Sequence, residues 1–283
     1  RAKVAGSTRP EVFDEATQRR SHETLQIETG LRWALERDEL IVQYQPIVSL
    51  DSGKIAGLES LVRWNHPELG IVPPDDFIPL AEETGLIVPL GWQVLSKSCK
   101  QMKEWRSTLP PGGLIDLSVN LSSKQFMQPD VVAQIHGALK DADLDPTCLR
   151  LEMTESALME NAEVVFPLLT ELQSLDVRLY VDDFGTGYSS LSYLHKLPID
   201  TLKIDRSFVI DLGVREEALE IVRTIVTLAH NLRMHVVAEG VETQEQATIL
   251  RGLGCEFAQG FYFSEPVDGS AIADLLRNDI KFF

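Results

Sequence analysis

The chain has 283 residues, which at ~100–200 residues per domain permits one large domain or two small ones. Its 26 Lys and Arg face 43 Asp and Glu, a formal charge of −17, the opposite of the basic balance that grips a nucleic-acid backbone; a small phosphorylated ligand stays compatible, because bound divalent cations reverse the field of a carboxylate site. A hydrophobic share of 44% with 24% charged residues excludes disordered and collagen-like chains.

Residues 1 to about 22 are charged and poorly periodic and read as a tail, whereas Glu23 to Arg37 set Leu25, Ile27, Leu31, Ala34 and Leu35 near helical spacing. Strand-like runs follow at Leu40 to Val48 and Lys54 to Trp64, joined by a turn at Asp51, Ser52 and Gly53. So short a link cannot make a crossover, which predicts an antiparallel pair. Helices are expected at Asp75 to Glu83 and Leu86 to Leu109, then a strand at Leu114 to Asn120, a helix within Asp130 to Ala142 and a strand at Cys148 to Thr154. The alternation continues with a helix in Ala162 to Leu175, a strand at Val177 to Asp183, a short helix in Ser189 to His195 and a strand at Thr201 to Asp205. Helix Glu216 to Asn231, strand His235 to Ala238, helix Thr243 to Leu253, strand Glu256 to Gln259 and helix Ser270 to Arg277 complete the series.

Eight strands alternating with helices over ~250 residues predict an α/β fold, a (β/α)₈ or TIM barrel, modified by the reversal of its first strand. An open doubly wound sheet is the weaker alternative. Cys99, Cys148 and Cys255 are an odd number at no zinc or disulfide spacing and are expected as reduced core thiols. The longest uncharged stretch, Thr84 to Ser96, is shorter than the ~20 residues a membrane span needs, and it contains Pro89 and Gly91. Beginning at Arg1 rather than Met, the chain reads as a fragment of a longer protein whose remainder has room for membrane anchors or sensors.

Several strands alternate instead of running apolar throughout. Leu117 and Val119 interleave with Asp116, Ser118 and Asn120; Leu151 and Met153 with Arg150, Glu152 and Thr154; Leu202 and Ile204 with Thr201, Lys203 and Asp205. Since side chains switch faces at each residue, the apolar set should meet the helices and the polar set the barrel interior. Glu59, Leu61 and Arg63 share one face of their strand, with Ser60 and Val62 on the other. Asn120, Glu152, Asp182, Asp183, Asp205 and Glu239 fall at or beside strand C-terminal ends, where barrel active sites are built, and Glu59 can reach the same mouth. So many acids repel one another unless cations are bound. Oxygen ligands favour Mg²⁺ or Mn²⁺, and the six scattered histidines form no zinc pattern. Adjacent Asp182 and Asp183, followed by Phe184-Gly185-Thr186-Gly187, suggest two neighbouring cations, with Lys203 placed to orient or deprotonate water. Two-metal phosphodiester hydrolysis follows chemically, and enolisation with a lysine base is the rival.

Assembled, these residues resemble the EAL family of cyclic di-GMP phosphodiesterases from about Leu31 to Pro266, through YQPIV, ESLVRW, FIPLAEETG, VNLS, LEMTES, DDFGTGYSSL, LPIDTLKID, VVAEGVET and QGF. The resemblance implies hydrolysis of cyclic di-GMP to linear pGpG on two Mg²⁺ or Mn²⁺ ions, with Ca²⁺ inhibitory. Carried over by position, Glu59, Asn120, Glu152 and Asp182 serve one cation and Asp182, Asp183 and Glu239 the second. Lys203 holds the attacking water, Gln259 contacts catalytic water or metal, Arg63 pairs with a substrate phosphate, Leu61 walls the nucleotide and Gln45 touches guanine. Glu242 anchors the loop that begins at Asp182. The family motif has Ala where Ser60 stands, on the face turned away from the interior, so activity is expected to survive. Glu265 replaces a commonly basic residue before Pro266, weakening a peripheral contact.

RAKVAG and EVFDEA resemble the end of a GGDEF domain, which implies residues 1–22 as its tail and linker and 23–283 as the phosphodiesterase domain. The further implication is a cytoplasmic domain linked to upstream GGDEF-like and sensory domains, with any membrane anchor in the missing part, and a homodimer meeting through the helix after Asp205. No nucleic-acid polymer is expected as a partner. A catalytically silent receptor for the same nucleotide is the alternative function, and a pure interaction scaffold a more distant one.

Overall fold

The computed structural model describes residues 27, 29–108, 115–159, 162–187 and 194–283. The suggested GGDEF-like tail, and the short helix at Ser189 to His195 except its last two residues, lie outside them.

Strands β1 (Leu40–Ser49) and β2 (Ile55–His66) pair antiparallel with Gln45 opposite Glu59. Gly53 in their turn has φ +71°, and a Cβ there would meet the Phe283 carbonyl oxygen at 2.8 Å, so glycine is the residue that fits. After β3 (Gly70–Val72) come β4 (Asp116–Asn120), β5 (Leu149–Thr154), β6 (Arg178–Phe184), β7 (Thr201–Ile204), β8 (His235–Ala238) and β9 (Phe257–Ala258). The ring runs β1-β9-β8-β7-β6-β5-β4-β2 and closes through β1–β2. Strand β1 is antiparallel to both neighbours, while β2 and β4 to β9 run parallel. This is the expected modified barrel. The short β3, which the sequence reading did not anticipate, extends β2 outside the ring.

The strand alternation separates two interiors. Leu117, Val119, Leu151, Met153, Leu179, Val181, Leu202, Ile204 and Val236 join one continuous core under the helices. Helix Glu216–Asn231 meets it with Ala218, Val222, Ile225, Val226 and Ala229 at three- and four-residue spacing. Inside the ring a separate apolar cluster holds Ile47, Tyr180 and Val237, with Phe257 against it. Cys99, Cys148 and Cys255 are free and buried, as expected. Among the described residues no helix is long and apolar enough to cross a membrane.

Candidate functional site

Each of the four inner apolar residues has a polar neighbour two positions nearer the barrel mouth: Gln45 beyond Ile47 on reversed β1, Asp182 beyond Tyr180, Glu239 beyond Val237 and Gln259 beyond Phe257. Two positions along a strand return to the same face, so the apolar cluster is the floor of a polar chamber. Arg150, on β5, pairs with Asp116 at 2.6 Å. Glu152 and Lys203, both fully buried, come from β5 and β7, the two neighbours of β6 in the ring, on the chamber side of their strands.

Lys203 Nζ lies 2.5 Å from Glu152, 2.6 Å from Glu239, 3.3 Å from Asp182 and 3.5 Å from Glu59. Burial alone would draw its pKa down, but Asp182, Glu152, Glu239 and Glu59 together hold it well above the ordinary lysine value. Glu59 accepts from Asn120 Nδ2 at 2.7 Å and from Gln259 Nε2 at 2.7 Å. Burial pushes the Glu59 carboxyl up, yet Lys203 and these amide donors outweigh it and the pKa falls. Glu152 goes the other way: burial raises it strongly, Lys203 only partly opposes, and Glu59 and Asp182 add repulsion. Burial likewise lifts Glu239 to about 8.

At the mouth, β6 departs from its register with β7 between Val181 and Phe184, and Asp183 takes φ +53°. A regular strand would send Asp182 and Asp183 to opposite faces. The bend instead leaves one carboxylate oxygen each of Asp182, Asp183 and Glu239 within 4.8 Å of one another. Burial, then Asp182 and Asp205, raise the Asp183 pKa.

Four carboxylates, from Glu59, Glu152, Asp182 and Glu239, therefore surround one ammonium, and Asp183 adds a fifth acid beside Asp182 and Glu239. Fully ionised, the five acids and the ammonium leave four negative charges, which two divalent cations would balance. Glu152 Oε1 and Gln259 Oε1 are buried with no hydrogen-bond partner among the described residues. An all-oxygen set with orphaned acceptors fits hard divalent cations.

Local structure places the remaining residues. Gln259 also donates to Gln45 Oε1 at 2.8 Å, and Gln45 Nε2 donates to the Ser264 carbonyl at 2.9 Å. Gln45 thus orients Gln259 while still lining the cleft, alongside Leu61. Arg63 stands at the rim, donating to the Val62 carbonyl at 2.8 Å. Asn120 ends β4 just before a helix, Ser123–Phe126, whose start is fixed by a reciprocal Ser122–Gln125 cap. Asp205 lies at the end of β7 as expected and also caps the helix Arg206–Val209 by accepting from Ser207 N at 3.0 Å.

Glu242, expected to anchor the loop after Asp182, lies with its carboxylate 3.4 Å from Arg206 Nη2, and its N–H donates to Gln246 Oε1. The hydrogen bond into that loop among the described residues comes from Glu155: Gly185 N–H donates to Glu155 Oε2 at 3.0 Å. Buried Glu155 opens the helix directly after β5, next to β6, which puts it within reach. The sequence reading missed it, although its spacing of three from Glu152 was the available signal. Asp75, Arg206 and Phe261 also line the cleft and were not singled out.

The family described as EAL domain matches residues 29–266. Cyclic di-GMP phosphodiesterase NbdA of Pseudomonas aeruginosa is 41% identical over 276 residues, covering 98% of this chain and 35% of its own length. Bifunctional diguanylate cyclase/cyclic di-GMP phosphodiesterase MucR of the same organism is 43% identical over 257 residues, covering 90% of this chain and 37% of its own. The chain thus spans little more than a third of these relatives. The solved structure titled PaMucR Phosphodiesterase, c-di-GMP complex superposes with a TM-score of 0.84 at 42% identity, over 87% of this chain and 99% of that one.

Proposed function

The chain belongs to the EAL domain family, and from that premise we propose that it hydrolyses cyclic di-GMP to linear pGpG. The observation that carries this reading is the buried ammonium of Lys203 set among four carboxylates of four different strands. When bound, two Mg²⁺ or Mn²⁺ ions polarise the phosphate and acidify water. Glu59, Asn120, Glu152 and Asp182 would hold one ion, and Asp182, Asp183 and Glu239 the other. The same oxygens would also take Ca²⁺, for which binding without turnover is expected.

Lys203 orients the attacking water by donating to it, and a positioned donor lowers the entropic barrier to attack. Gln259, kept in place by Gln45, presents its free Oε1 to the same water, and Glu239 stands beside Lys203 to take up a proton. Arg63 grips a phosphate, Leu61 supplies an apolar wall to the nucleotide and Gln45 meets guanine. The apolar floor of Ile47, Tyr180 and Val237 keeps water from below, which strengthens every charge interaction above it.

Residues 1–22 are read as the linker from a preceding GGDEF-like domain. The exposed Ile210 and Val214, just after the helix that follows Asp205, and Ile221 on the next helix offer the dimer contact. Incubation with cyclic di-GMP and Mg²⁺ or Mn²⁺, followed by chromatography, tests the activity. Linear pGpG should accumulate and EDTA should stop it; nucleotide bound but unconsumed would instead make this domain a receptor.

A further inference from the structure

The chamber's own cation is already engaged. Lys203 is fully buried and divided among four carboxylates, so it has little left for an anionic group entering from the mouth. Two arginines stand at that mouth. Arg63 lies on β2, and Arg206 opens the short helix after β7, directly following its N-cap Asp205. In the closed eight-strand ring, β2 and β7 are four places apart in either direction, so the two arginines arise from opposite sides of the ring, Arg206 lining the acidic cleft and Arg63 the adjoining cavity with Asn120 and Glu152.

Arg206 is seated by the backbone opposite it. Gly240 has φ +69°, and a Cβ there would come within 2.3 Å of Arg206 Cγ and 2.7 Å of its Cβ. Only a residue without a side chain lets the Arg206 stem lie across the end of β8, where it lines the cleft with Asp182, Glu239 and Glu242. The stem is fixed, but the head is not. Its side chain is 61% exposed, and Glu242 Oε1 is 3.4 Å away, beyond ordinary hydrogen-bond length. An exposed pair at that distance contributes little and yields readily to a better partner.

On the reading of the site given above, the substrate is a ring with two phosphodiester groups. We infer that Arg206 binds the phosphodiester on the rim opposite Arg63, making it a substrate-binding residue that aligns the dinucleotide across the mouth. The planar guanidinium fork suits two phosphate oxygens, and Glu242 holds it ready until the ligand arrives. Anions that approach the acidic chamber then have an attractive contact on each side.

The test compares wild type, Arg206→Ala and Arg206→Lys in steady-state hydrolysis of cyclic di-GMP with Mg²⁺, and in calorimetric binding of the same nucleotide with Ca²⁺. Losing a charge-assisted phosphate contact should raise KM and Kd about 10-fold or more in Arg206→Ala, leave kcat within about 3-fold, and flatten the dependence of Kd on salt. Arg206→Lys should recover part of the affinity, because it keeps the charge and loses the fork. Competition by cyclic di-AMP should weaken by the same factor, since the contact reads phosphate; a loss confined to the guanine compound would overturn the inference in favour of base reading. Unchanged Kd and salt slope in Arg206→Ala, or a fall in kcat alone with a lowered Tm, would reduce Arg206 to a structural partner of Glu242. If wild type binds without hydrolysing, the proposed reaction fails while Arg206 is still judged by Kd; if it does not bind, both fall.

Discussion

Glu59 and Ser60 are neighbours on β2, and both are almost inaccessible to solvent, at 5% and 3% exposure. Glu59 receives two amide hydrogen bonds and lies near Lys203 inside the ring. Ser60 belongs to the layer between strand and helix, where its hydroxyl has no hydrogen-bond partner among the described residues. One residue of strand phase thus separates a chamber where charge is concentrated from a layer where apolar packing supplies stability. Burial therefore does not say what a residue does; the face does.

The largest effect should come from the chamber. Glu59→Ala removes the acceptor shared by Asn120 and Gln259 and should abolish nearly all turnover, and Lys203→Ala should slow hydrolysis by at least ~100-fold while nucleotide binding persists. Single-turnover rates with a parallel binding isotherm separate the two, and added Mg²⁺ should not rescue Lys203→Ala. A Lys203→Ala protein that keeps its rate would erase the distinction drawn between chamber and shell.

Glu155→Ala should have a smaller, metal-sensitive effect, since it frees the loop carrying Asp183 from its bond at Gly185. A rate loss of about 10-fold that higher Mg²⁺ partly restores is expected, in line with the supporting contacts around metal ligands. In the outer layer, fully buried Leu151 should behave oppositely. Leu151→Ala should cost about 2–5 kcal/mol in denaturant unfolding while the folded fraction keeps its kcat.

Protonation sharpens the comparison further. Burial lifts the Glu239 carboxyl from an ordinary 4.5 to about 8, Lys203 opposing and Asp182 and Glu59 reinforcing. Without cations the folded chain binds a proton there that the unfolded chain has released, so Glu239's contribution is present at low pH and fades as pH rises through that interval. A cation displaces this proton, and its affinity should rise with pH. The Tm gain on adding Mn²⁺ should accordingly be larger at about pH 8.5 than at about pH 6 by differential scanning. An equal gain at both would mean that Glu239 is not displaced of a proton by the ion.

The smallest expected effect belongs to Ser60→Ala. Turnover should be unchanged, and removing an orphaned hydroxyl should leave stability equal or higher by up to about 1 kcal/mol. A large rate loss would show that the layer outside β2 communicates with the chamber.

The sequence was enough for the eight-strand order, the reversed first strand and the placing of Glu59, Asn120, Glu152, Asp182, Lys203 and Glu239 at one mouth, because period-two alternation and strand ends are local properties of the chain. Tertiary structure decided what alternation cannot encode. The bend at Asp183 overrides strand phase and brings adjacent aspartates to one side. Asp205 is drawn into capping the next helix because the backbone N–H of Ser207 offers it a bond, while it stays near enough to Asp183 to raise that carboxyl's pKa. Loop support comes through Glu155 and the Arg206 stem rests on Gly240 because strands β5 and β6, and β7 and β8, are neighbours in the ring. Such contacts depend on which backbones lie side by side, and adjacency between distant segments is set only when the barrel closes.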